Sequence, residues 1–213
     1  MEKETGMRID KVILRAVLTT LVSIAVLCAV MMLALCLVFP STMMQMTYEL
    51  GMNGASIGFA QSAYDRTDNI HYIAFATEVA ILDGDTDNIV TCGNRLLTDN
   101  EFEKYCEQRN VNKPENAKGT YQQYFYGQVC LAEYGKATSV GVKINVVEKA
   151  YGSLGNNAFP ENNALAAVLF AAYHQQDTQT LDKIKEKMNE IDKDALSQAD
   201  GNYYDGVFAL LKE

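Results

Sequence analysis

The chain has 213 residues and a formal net charge of −9. Its first fifteen residues set Lys3, Arg8, Lys11 and Arg15 against Glu2, Glu4 and Asp10, a balance of +1, so the remainder carries −10. A surface that acidic disfavours nucleic acid and anionic lipid headgroups as partners.

From Ala16 to Phe39 no charged residue occurs, and the run stops at Pro40. At about 1.5 Å per residue such a helix reaches roughly 36 Å, enough to cross a hydrocarbon core of about 30 Å with some tilt. A secretory signal would have an apolar core of about 7–15 residues followed by small residues at a cleavage site, and neither condition holds. Cys28 and Cys36 each follow a bulky leucine, which argues against a lipoprotein signal. No face of the segment is polar, which argues against a helix buried in a soluble domain. Four bases precede the run and the next basic residue is Arg66, so the N-terminus is expected in the cytoplasm. The expected organisation is a cytoplasmic stub over 1–15, a single-pass transmembrane anchor over 16–40 and an extracytoplasmic domain over 41–213 at the cell membrane. The last is long enough for one sizeable core.

Beyond the anchor the apolar pattern is helical. Pro40, Pro114 and Pro160 are the only prolines, and each lies at a border between apolar-periodic segments. The pattern predicts helices over 42–64, 70–82, 86–98, 100–109, 120–134, 139–151, 161–175, 178–191 and 197–211, with 110–118 as the longest loop. Period-two alternation is nearly absent, so no sheet is expected and the fold class is all-α.

The segments pair through short turns, and a small residue recurs in successive pairs. Gly51, Gly93, Gly127, Ala166 and Gly206 follow one another at intervals of 42, 34, 39 and 40 residues. That spacing predicts a degenerate helix-hairpin repeat in which each small residue admits a partner helix. An irregular helical bundle with scattered glycines is the alternative.

Tyr48-Glu-Leu50-Gly51 and Tyr124-Phe-Tyr126-Gly127 are similar to the aromatic-x-x-Leu-Gly opening of the first helix in tetratricopeptide repeats, and Glu148-Lys-Ala150-Tyr151 to the alanine-containing close of the second. The chain thus resembles that family over about residues 42–212, although it has no Trp, and Gly54 and Cys130 replace the third aromatic of the motif. The resemblance implies a curved α-solenoid whose concave side holds peptides or protein partners. It implies no chemistry, no cofactor and no transferable binding residue.

Most catalytic patterns are missing. His71 and His174, the two histidines, share no carboxylate-bearing motif, and neither HExxH, SxxK nor a phosphate-cradling glycine loop occurs. An enzyme is therefore not expected. Asp83, Asp85 and Asp87 alternate as in a calcium loop, but Asn88 stands where such a loop needs Gly and Asn94 where it needs Glu, so a turn with an aspartate cap is expected and no metal. Outside the anchor Cys92, Cys106 and Cys130 form neither CxxC nor CxC, and they read as small buried apolar residues, with one bridge from Cys92 to Cys106 or Cys130 as the alternative.

The aromatic set is skewed to 12 Tyr against 8 Phe. Tyr121, Tyr124 and Tyr126 cluster after the long loop and are the candidate partner-binding residues, because tyrosine offers apolar area and a hydroxyl at low entropy cost. Packing between helices is the other role open to them. The leading functional expectation is a membrane-anchored helical-repeat scaffold that binds or organises membrane-associated protein partners at the outer face. The alternative is an accessory subunit of a larger membrane complex, assembled through the small and polar anchor residues Thr19, Thr20, Ser23, Ala25, Ala29 and Ala34. A calcium-gated receptor would rest on the aspartates alone.

Overall fold

The computed structural model describes residues 2–114, 118–155 and 158–212, with the backbone alone for 2–11. Among these residues every regular element is helical and no strand occurs. The first, α1 (Glu2–Val38), contains one stretch, Val12–Val38, that is long and apolar enough to cross a membrane. None of that stretch is buried against the rest of the chain.

Phe39 interrupts the helix at φ −126° and ψ 62°, and Pro40 then opens α2 (Pro40–Glu49). Proline suits this first helical position because its missing N–H has no intrahelical partner to lose. The segment expected as one helix over 42–64 is broken. Gly51 turns the chain at φ +71°, a left-handed backbone that glycine adopts without a Cβ penalty, and α3 (Asn53–Thr67) folds back along α2. The Ser56 hydroxyl donates to the Met44 carbonyl at 3.1 Å across this hairpin. Arg66, in the last turn of α3, donates to the Leu37 carbonyl and so satisfies an orphan acceptor at the end of α1.

Further hairpins follow through α4 (Ile70–Asp83) and α5 (Thr86–Leu97). Asn69 caps α4, accepting from the His71 N–H at 3.0 Å, and Asp85 caps α5, accepting from the Asn88 N–H at 3.1 Å. After the short α6 (Phe102–Val111) come α7 (Tyr121–Lys136), α8 (Val140–Gly152), α9 (Ala164–His174), α10 (Thr178–Asn189), a 3-10 turn over Lys193–Ala195 and α11 (Gln198–Ala209).

Helix α7 joins two cores. Its Phe125 and Val129 complete a first cluster with Ile57, Ile73 and Leu96, while Cys130 and Tyr134 belong to a second with Val147, Leu165 and Ile184. Asp177 ties the second together from α10's cap position: its Oδ2 accepts from Tyr134 at 2.9 Å, Lys143 at 2.7 Å and Thr180 at 2.9 Å.

The regularly spaced small residues do not share one structural role. Gly93 sits at a tight contact, since a Cβ there would lie 2.3 Å from Val129 Cγ2, and Ala166 is buried in α9. Gly127 is buried but has room, its nearest neighbour being the Asn162 carbonyl at 4.0 Å. Gly51 forms a turn and Gly206 is exposed with open space around it.

Candidate functional site

The end of α6 and the start of α7 are joined by side-chain caps. Thr120 accepts from the Gln123 N–H at 3.2 Å, and Asn110 Oδ1 accepts from the Tyr121 N–H at 2.9 Å. This fixes the first turn of α7 so that Tyr121 and Tyr124, three residues apart, fall on one side of the helix. They line a cleft of about 450 Å³ with Glu78 and Leu82 of α4, Arg109 of α6, and Lys113, Pro114 and Lys118 of the connection.

Arg109 organises the floor. Its guanidinium donates to Glu78 Oε1 at 2.7 Å and lies 4.7 Å above the Tyr121 ring. Burial pushes the Glu78 carboxyl up, and Arg109 partly offsets that rise. Tyr124 is raised as well, first by burial and then by the nearby Glu78 charge, so its phenol stays a neutral hydrogen-bond donor at physiological pH. Leu82, 76% exposed, and Tyr124, 40% exposed, present apolar surface to solvent beside these charges.

Tyr126 does not join them. Two residues beyond Tyr124 it points to a different side of α7, where it packs against both cores and meets Phe102 edge-on at 5.9 Å. The three-tyrosine cluster expected from the sequence therefore separates into a cleft pair and a packing residue, because helical periodicity parts neighbours in the chain.

A second depression of about 300 Å³ runs between α7 and α9, lined by Gln123, Gly127, Gln128, Leu131, Asn162 and Phe170, among others. Gln123 is 5% exposed. Its Nε2 donates to the Ser153 carbonyl at 2.9 Å, whereas its Oε1 has no hydrogen-bond partner among the described residues. Apart from Gly127, none of these residues stands out in sequence, because their grouping depends on how α7 meets α9.

The other candidates are structural. Asp83 accepts from Asn53 at 3.0 Å, Asp85 caps α5, and Asp87 pairs with Lys136. Among the described residues no group of three His, Cys, Asp or Glu is placed to hold a metal ion. His71 packs edge-on against Tyr105 at 5.3 Å, and His174 ends α9 against Tyr173. Cys92, Cys106 and Cys130 are buried free thiols. Burial raises the Cys92 thiol and pushes Cys106 and Cys130 up to about 12, so all three stay protonated at neutral pH.

No known protein family, curated protein or solved structure matches the chain. Its tetratricopeptide resemblance therefore rests on the quoted motifs alone.

Proposed function

We propose that this protein is a membrane-anchored scaffold whose helical-hairpin domain binds protein partners at the outer face of the membrane. The tyrosine cleft is the docking surface. The observation that carries the reading is the pairing of exposed Leu82 and Tyr124 above the Arg109–Glu78 floor, an apolar patch rimmed by charge of the kind that partner proteins cover. The stacked antiparallel hairpins from α2 to α5 support a tetratricopeptide-like solenoid. Anchoring through α1 would raise the effective concentration of any partner in the same membrane without a new contact.

An accessory-subunit role draws support from α1, whose apolar stretch leaves every face free for neighbouring spans. Its Thr19 and Thr20 hydroxyls, however, already donate to the carbonyls of Arg15 at 2.8 Å and Ala16 at 2.9 Å. They need no interhelical acceptor, which favours the domain over the anchor as the recognition element.

The test is co-purification of the tagged full chain in mild detergent, with three variants compared against the parent. Tyr124→Ala and Tyr121→Ala should each deplete the recovered partner, and replacing 16–39 by an unrelated apolar span should not. The opposite pattern, loss with the replaced span alone, would establish the subunit reading and overturn the docking one.

A further inference from the structure

Arg66 is the first cation after the apolar run, and the fold returns it to the end of that run. Its guanidinium donates to the Leu37 carbonyl, one residue before the candidate span ends at Val38. Counted from Arg15, the last charge before the run, about 20 helical residues cross a hydrocarbon core of roughly 30 Å. The outer edge of that core then falls within about two residues of Leu37. Leu37, Val38 and Phe39 are each more than half exposed and meet the lipid at that edge. Arg66 therefore stands at the depth of the headgroups.

We infer that Arg66 binds the phosphate of a zwitterionic phospholipid in the outer leaflet, which makes the end of α3 a lipid-headgroup site. The inference rests on the reading of α1 as a membrane span and adds where the domain itself touches the bilayer.

Three observations choose this ligand. The first is an uncompensated charge. Arg66 is exposed and makes no ion pair among the described residues, whereas Arg95 is taken by the neighbouring Asp65 and Arg109 by Glu78. A guanidinium has five N–H donors, and the neutral Leu37 carbonyl engages one of its nitrogens without cancelling its charge.

The second is position. The bond to Leu37 holds the Arg66 side chain against the end of α1 before any lipid arrives, and the planar fork that remains matches two oxygens of a phosphate. The third is the sign of the surroundings. Asp68, at the C-terminal cap of α3, is exposed and likewise makes no ion pair among the described residues. It offers a negative charge that the ammonium of a phosphocholine or phosphoethanolamine headgroup matches and that a net anionic headgroup does not. A zwitterionic lipid thus satisfies the cation while respecting the acidity of the domain, which disfavours anionic headgroups.

The test is carbon–phosphorus recoupling by solid-state NMR on the full chain, isotope-labelled at the arginine guanidinium carbon and reconstituted in phosphatidylcholine vesicles. Arg8→Lys and Arg15→Lys remove the arginines expected at the inner leaflet, leaving Arg66, Arg95 and Arg109. About one third of the carbon signal should be dephased by lipid phosphorus at roughly 4 Å, the separation of a guanidinium hydrogen-bonded to phosphate. Arg66→Gln should abolish that dephasing, with circular dichroism checking the fold of the variant. Vesicles of galactosyl diacylglycerol with added inorganic phosphate should show none, because the ligand is the lipid and not the free ion.

Absence of dephasing with Arg66 in place overturns the inference and needs no variant at that position. Dephasing that survives Arg66→Gln, or that inorganic phosphate reproduces, overturns it as well. The chain has no tryptophan, so Leu27→Trp reports the middle of α1 alone. Quenching of its fluorescence by lipids brominated at mid-chain keeps the span reading even where the phosphorus experiment fails, and an unquenched signal overturns both.

Discussion

Gly93 on α5 and Val129 on α7 hold their helices at a distance that only a missing side chain permits, a Cβ on Gly93 falling 2.3 Å from Val129 Cγ2. Val129 is fully buried, and a β-branched residue in a helix has little rotamer freedom with which to move aside. Gly93→Ala should therefore lower stability by about 1–3 kcal/mol through overpacking, despite a gain in helix propensity. In a Val129→Ala background the same change should cost much less, and urea unfolding of the four combinations measures that coupling. Gly127→Ala, with nothing nearer than the Asn162 carbonyl at 4.0 Å, should be neutral or stabilising by up to about 1 kcal/mol.

Acid stability should depend on Asp177. Burial alone would raise its carboxyl, but hydrogen bonds from Lys143, Thr180 and Tyr134 outweigh it and hold the group at about 2. A depressed carboxylate stabilises the fold above its unfolded value of about 4, and the contribution fades as pH falls from there through about 2. It amounts to about 1–2 kcal/mol at neutral pH. Melting curves from neutral pH down to about pH 2 should show the difference between parent and Asp177→Asn closing across that window. A difference that stays constant with pH would mean the ionised form is not what the network stabilises.

Asp85 should matter as a helix cap and not as a metal ligand. Asp85→Ala should cost about 0.5–2 kcal/mol, since the Asn88 N–H loses its acceptor, and Asp85→Asn much less. Neither cost should change between calcium and chelator. A calcium-dependent rise in melting temperature that disappears in Asp85→Asn would replace the capping role with a binding one.

Topology is open to a direct test. Protease added to intact cells should remove the domain after Pro40, as expected from four bases before the apolar run and none after it until Arg66. Protection until lysis would reverse the orientation and withdraw the extracytoplasmic location.

Much of the architecture was legible because helices are local objects. The starts of α4, α5, α7 and α8 follow from Asn69, Asp85, Thr120 and Ser139, whose side chains reach N–H groups two or three residues away. The apolar period supplied the all-helical class, and the uncharged run ending at Pro40 supplied the candidate span. Gly51 shows the limit. A glycine inside an apolar-periodic run reads equally as a helix contact or as a turn, and only the backbone, at φ +71°, makes it the turn that splits 42–64 into two helices.

The candidate site needed the tertiary structure. Composition could point to Tyr121, Tyr124 and Tyr126 but not part them, because which side of α7 faces solvent depends on where α4, α6 and α9 pack. Gly93 and Gly127 carry the same side chain, yet one is crowded by Val129 and the other has space beside it. The same holds for Gln123, whose free oxygen arises from a bond to Ser153 thirty residues away. Sequence alone determined most of the elements and the apolar helix, since both depend on neighbours in the chain. Only the packing of α7 against helices distant in sequence decided which residues share a cleft, because contacts of that range leave no periodic trace.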